Sequence, residues 1–119
     1  MKREDFIARV RHIGWITYQI ASGQSYNEES NDDQLKSLMN GIKFQDEHPN
    51  NTPERNHKNW MEMKISQGWK YGKVKNFENK THPDLVPFNE LPLIEQNKDI
   101  ADSISHKMAS KLWNQLMEE

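Results

Sequence analysis

The sequence predicts a mainly α domain of about four helices, with a short extended or β-hairpin-like element between the third and the fourth. Three observations carry this expectation. Apolar residues recur at steps of three and four over separate stretches of the 119-residue chain. Residues that open helices stand ahead of those stretches, Thr52-Pro53-Glu54 most clearly. Strand-like alternation is confined to "WKYGKV", residues 69–74.

The first helix is expected over 4–22, where Phe6, Val10, Ile13, Thr17 and Ile20 predict one buried face and Ser22-Gly23 ends it. "SYNEESNDD" is a polar, acidic connector. A second helix starts near Asn31 or Asp32 and carries Leu35, Leu38, Met39 and Ile42; Asp32 and Asp33 read as caps rather than a catalytic dyad. Pro49 and the Asn pair make "QDEHPNNTP" a loop. The third helix should run from 53 to about 67 and end at Gly68. "NFENKTHPDLVPF" reads as turn and loop, fixed by Pro83 and Pro87. A fourth helix is expected from about Pro92 to 117, with Ala101, Ile104, Met108, Leu112 and Leu116 as its buried stripe.

Composition narrows the function classes. Hydrophobic residues make up 34%, charged residues 29%, and mean hydropathy is -1.07, yet four Trp and six Met supply enough burial for a core. A formal charge of -2 offers no general attraction to nucleic acid or acidic membrane. The absence of Cys excludes disulfides, thiolate metal sites and a Cys nucleophile. No apolar run approaches the roughly 20 residues of a membrane span, and charges interrupt the N-terminus where a signal peptide needs an apolar run. A soluble, cytoplasmic protein folded as one domain over 1–119 is expected.

No HExxH, Walker A, GxGxxG or GxSxG pattern occurs. The histidines at 12, 48, 57, 82 and 106 include no pair at metal-ligand spacing on one helix. His57 and His82 could meet in space, although structural histidines are the favoured reading. Neither catalysis, a metal nor a cofactor is expected.

The segment "HKNWMEMKISQGWKYG" (residues 57–72), followed by "KTHPDLVPFNELPLIE" (80–95), concentrates rings, lysines and prolines. Its landmarks are Asn56, His57 and Trp60; Gly68, Trp69, Tyr71 and Gly72; His82, Pro83, Leu85, Val86 and Phe88; then Leu91, Pro92 and Glu95. This order resembles the RyR domain, the repeat of ryanodine receptors that also occurs as a single-copy module in bacteria and phages. The resemblance spans about 53–110, leaving about 1–45 as a helical extension. In the receptors such repeats pair about a pseudo-two-fold axis and hold an adenine nucleotide between them. The resemblance therefore implies a non-enzymatic sensor or sequestering module for a nucleotide or nucleotide-derived small molecule, and a homodimer that recreates the pair. It also implies a framework role for His57, Gly68, Trp69, Gly72, Pro83, Leu85 and Val86. The receptors' phosphorylation loop has no counterpart here, since "KVKNFENKT" keeps one hydroxyl, Thr81.

The candidate ligand-binding residues are Trp60, Lys64, Lys70, Tyr71, Lys80 and His82. Trp60 and Lys64 stand one helical turn apart, and two readings stay open for them. In one, the indole stacks on a base while the lysine meets a phosphate. In the other, Trp60 is core and Lys64 a surface residue. Five lysines against one acid between 64 and 80 suit a phosphate-bearing ligand, whereas Asp84 would oppose one. Besides ligand binding, a protein-interaction or homodimerisation module remains open; a nucleic-acid partner is not expected.

Overall fold

The structure, a computed structural model, describes residues 1–117. Its elements are α1 (Arg3–Ala21), α2 (Asp32–Glu47), α3 (Pro53–Ser66), β1 (Lys70–Tyr71), β2 (Thr81–His82), a short 3-10 turn (Phe88–Glu90) and α4 (Leu93–Met117). The fold is mainly α, as its periodicity predicts.

Local chemistry sets the helix boundaries. Asn31, not the aspartate pair, caps α2: its side chain accepts from the Gln34 N–H at 2.8 Å, and Gln34 Oε1 accepts from the Asn31 N–H at 3.0 Å. Thr52 caps α3 through a 3.3 Å bond from the Arg55 N–H, with Pro53 opening the first turn. Gly68 leaves α3 at φ 91°, a conformation that favours glycine. The short extended element predicted between the third and fourth helices is present: its strand pair is parallel, with Lys70 opposite Thr81 and Tyr71 opposite His82, and an antiparallel bridge joins Asn76 to Thr81. Gly72 is required there by close approach: a Cβ would stand 2.6 Å from that of Thr81.

Each helix packs on two neighbours, α1 on α2 and α4, and α3 on α2 and α4, which closes the four into a ring. α1 and α4 run antiparallel: Arg3 meets Ser110, Arg11 meets Asp102, and the Tyr18 hydroxyl donates to the Ile94 carbonyl. The apolar core is small. Ile7, Ala8, Ile42 and Ala109 form it, with Phe6, Val10, Leu38 and Met39 packed against them.

The predicted buried stripes are corrected on this point. Ile13 and Ile20 of α1 are exposed, as are Ile104, Met108, Leu112 and Leu116 of α4. The buried face of α1 carries Arg11, His12 and Gln19 instead, and that of α4 carries Ser103 and His106 beside Ala109. Periodicity alone places apolar faces inward; here the ring surrounds a polar interior whose charges are matched internally. Arg11 donates to both carboxylate oxygens of Asp102, and His106 lies between Arg11 and Asp46.

Candidate functional site

The ring encloses a cavity of about 700 Å3 lined from all four helices, the α1–α2 connector and residues 75–84. That volume lies within the range of small-molecule sites, about 300–1,000 Å3.

Trp60 projects from α3 into the cavity wall, half-buried. His57 stacks beside its ring at 5.5 Å and His82 meets it edge-on at 5.0 Å, so the two histidines do converge, on the indole. His57 is fixed at both nitrogens. Its Nε2 faces the Val86 carbonyl at 2.7 Å and must carry hydrogen there, while Nδ1 lies 3.2 Å from Asp99. Burial opposes charge on that ring, but Asp99 and the Val86 carbonyl outweigh it and hold His57 above its ordinary value. His82 goes the other way. Its Nδ1 accepts the Asp84 backbone N–H at 3.0 Å, and burial with the cations of Lys75 and Lys64 pushes it down to about 4.

Lys64 is neither the exposed phosphate contact nor the surface residue of the two sequence readings. It is 3% exposed, because α3 turns it against α2, where Asp33 accepts at 3.0 Å through both oxygens. Its ammonium also stands 5.1 Å from the centre of the Trp69 ring. Trp69 is buried and meets Phe77 edge-on.

The cavity thus brings together Trp60, Lys64 and His82, with His57 and Pro83 of the motif. Lys70, Tyr71 and Lys80 are outside its lining; the Lys80 ammonium instead donates to the Gln67 carbonyl at 2.8 Å. Gly68, Trp69, Gly72, Leu85 and Val86 also stand outside it.

Several lining residues escaped the sequence reading as site residues, among them Trp15, Tyr18, Gln19, Gln45, Asn56, Lys75, Glu95, Lys98 and Asp99. One signal for part of this set was present: Arg11, Trp15, Tyr18 and Gln19 repeat at helical spacing opposite the apolar stripe of α1. Lys98 pairs with Glu95 at 3.2 Å, while among the described residues no ion pair holds Lys75. Asp84 is pushed up to about 6, first by burial and then by the charge of Glu95. Three buried oxygens, Gln19 Oε1, Gln45 Oε1 and Asn56 Oδ1, receive no hydrogen bond from a protein group, and all three residues line this cavity, whereas Asp99 Oδ2 faces His57 Nδ1 at 3.2 Å. Each such acceptor costs about 1–3 kcal/mol when left unmade. The arrangement sets rings on one wall and pairs most of the charges along the lining. No cluster of metal-binding side chains is found among the described residues.

The sequence profile of the RyR domain matches residues 42–112, more than half of the chain. The protein belongs to the RyR domain family. The match begins within α2 and takes in Trp60, Lys64 and His82, whereas α1 and its share of the cavity wall precede it. No helix of the described residues is long and apolar enough to cross a membrane.

Proposed function

We propose that this RyR domain is a non-enzymatic ligand-binding module whose cavity senses or sequesters a nucleotide or nucleotide-derived small molecule. The observation that carries the reading is Trp60, half-buried in the wall of a cavity of nucleotide size and flanked by His57 and His82. An indole held this way offers a stacking surface to a flat base. Lys75 is the lining lysine outside any ion pair of the described residues, its ammonium 5.1 Å from the centre of the Phe77 ring, while Lys64 is held by Asp33.

A thermal-shift screen against mononucleotides, ADP-ribose species and cyclic dinucleotides tests this. A true ligand at a hundredfold its Kd should add about 2.7 kcal/mol of stability, a rise of roughly 10 °C for a chain this size. Trp60→Leu keeps bulk in the wall but removes the indole. It should weaken binding about tenfold or more, from the 1–3 kcal/mol of a base–ring stack. Unchanged affinity in a folded Trp60→Leu protein would rule the site out.

A second reading is favoured by the outer surface. Ile13 and Ile20 of α1, with Ile104 and Met108 of α4, are each more than half exposed, and α1 approaches α4 closely at Gly14 and Ser105. An isologous dimer needs only one self-complementary apolar patch, and a second copy of this chain is the occupant we propose. Light scattering across concentration should show the dimer mass falling to a monomer on dilution. Ile104→Asp with Met108→Lys should give a folded monomer at every concentration; a wild-type protein that is monomeric throughout removes this reading.

A further inference from the structure

The orientation of two of the unpartnered amides, Gln19 and Asn56, is fixed by what their other ends touch. Gln19 Nε2 faces the Ser25 carbonyl at 2.8 Å, and a carbonyl only accepts, so the nitrogen must be there and Oε1 is the atom left over. Asn51 Nδ2 donates to the His48 carbonyl at 2.7 Å, which leaves Asn51 Oδ1 as the acceptor for Asn56 Nδ2 at 2.9 Å. Asn56 Nδ2 also reaches Ser103 Oγ at 2.8 Å, so Asn56 Oδ1 is again the atom without a donor. Gln19 and Gln45 are 6% and 4% exposed.

We propose that Gln19, Gln45 and Asn56 form a donor-recognition subsite for the hydroxyl and amino groups of a nucleoside unit, and that phosphate charge adds little to affinity. The proposal rests on the nucleotide-class reading above and narrows it to the sugar-and-base portion. Its second support is the state of the charges. Lys64 is held by Asp33, Arg11 by Asp102 and Lys98 by Glu95, while His57 faces Asp99. Lys75 alone among the lining cations is in no ion pair of the described residues, and Asp84 shares its cavity. One ammonium suits one phosphate. A triphosphate would add charges with no cation left to meet them, close to carboxylates.

Gln19 lies on α1, ahead of the residues matched by the family profile.

Calorimetric titration of the full chain tests the subsite. The probes are each of the common ribonucleosides, their 2′-deoxy analogues, monophosphates and triphosphates, at low and high salt. One ribonucleoside should bind within about threefold of its monophosphate and at least as tightly as its triphosphate, with little salt dependence. Its 2′-deoxy analogue should bind at least about fivefold more weakly, because a buried acceptor loses its donor. Gln45→Met removes an acceptor and keeps the shape. It should leave the melting temperature equal or higher while weakening the ribonucleoside at least about fivefold. A triphosphate that binds at least about tenfold tighter than the nucleoside, and loses that advantage in salt, overturns this inference and leaves the ligand-binding reading standing. Unchanged affinity in Gln45→Met, with no discrimination of the deoxy analogue, overturns it as well. Absence of binding by every probe overturns both.

Discussion

Asp33→Ala is expected to lower the stability of the protein by about 3 kcal/mol, roughly 10 °C in melting temperature. The reasoning starts at Lys64, whose side chain is 4% exposed while that of Asp33 is 36% exposed. Removing the acid strands an ammonium beneath α2 with only the Trp69 face to stabilise it. Breaking a buried pair costs about 3–5 kcal/mol, and the partial exposure of Asp33 places this case at the low end. Lys64→Met should be milder, because a partly exposed carboxylate regains water and the methionine fills the space. The double variant Asp33→Ala/Lys64→Met should recover most of what Asp33→Ala loses. Urea denaturation of the four proteins closes this cycle. A larger loss in Lys64→Met than in Asp33→Ala would show that packing of the lysine stem, rather than charge burial, dominates.

The same lysine shows where sequence reasoning reaches and where it stops. Helix positions were legible because caps and breakers act locally: Thr52-Pro53 opens α3 and Gly68 closes it from residues within one turn. Trp69 lies between Gly68 and Gly72, which meet a positive φ and a close approach to Thr81, and it is buried. The buried faces were not legible, since the interior is polar and the stripe that points inward on α1 contains Arg11, His12 and Gln19. A lysine one turn from a tryptophan reads as surface unless Asp33, 31 residues earlier, is known to face it. Lys70, Tyr71 and Lys80 were grouped with Trp60 by nearness in sequence, but the parallel pairing of β1 with β2 leaves them outside the cavity lining. The other half of the site, Lys98 and Asp99 with Gln19, comes from the two ends of the chain, which only the antiparallel contact of α1 and α4 brings together.

His82→Asn is expected to remove a large part of the acid sensitivity of the fold. The asparagine Oδ1 can replace Nδ1 as acceptor for the Asp84 N–H while adding no titrating group. In the wild type, a proton on Nδ1 would turn that acceptor into a donor facing a donor, in a ring desolvated by burial and near Lys75 and Lys64. With the ring pushed down to about 4, the folded state binds fewer protons than the unfolded one. The stability this contributes is complete above the ordinary histidine value of about 6.5 and is lost as pH falls toward 4. It amounts to about 3 kcal/mol at most, reduced by the partial exposure of the ring. His106, pushed down by burial and then by Arg11, acts in the same direction. Asp84, raised to about 6, and Asp99, also raised by burial, act in the opposite one, since acid relieves their buried charge. The wild-type curve is therefore a sum of opposing parts, and the difference between wild type and His82→Asn isolates one of them. Urea denaturation at intervals between about pH 7.5 and 4.5 should show that difference widening on the acid side and vanishing above about pH 7. Parallel curves would mean that His82 takes up its proton without strain, and that the wall beside Trp60 is more open to water than its geometry implies.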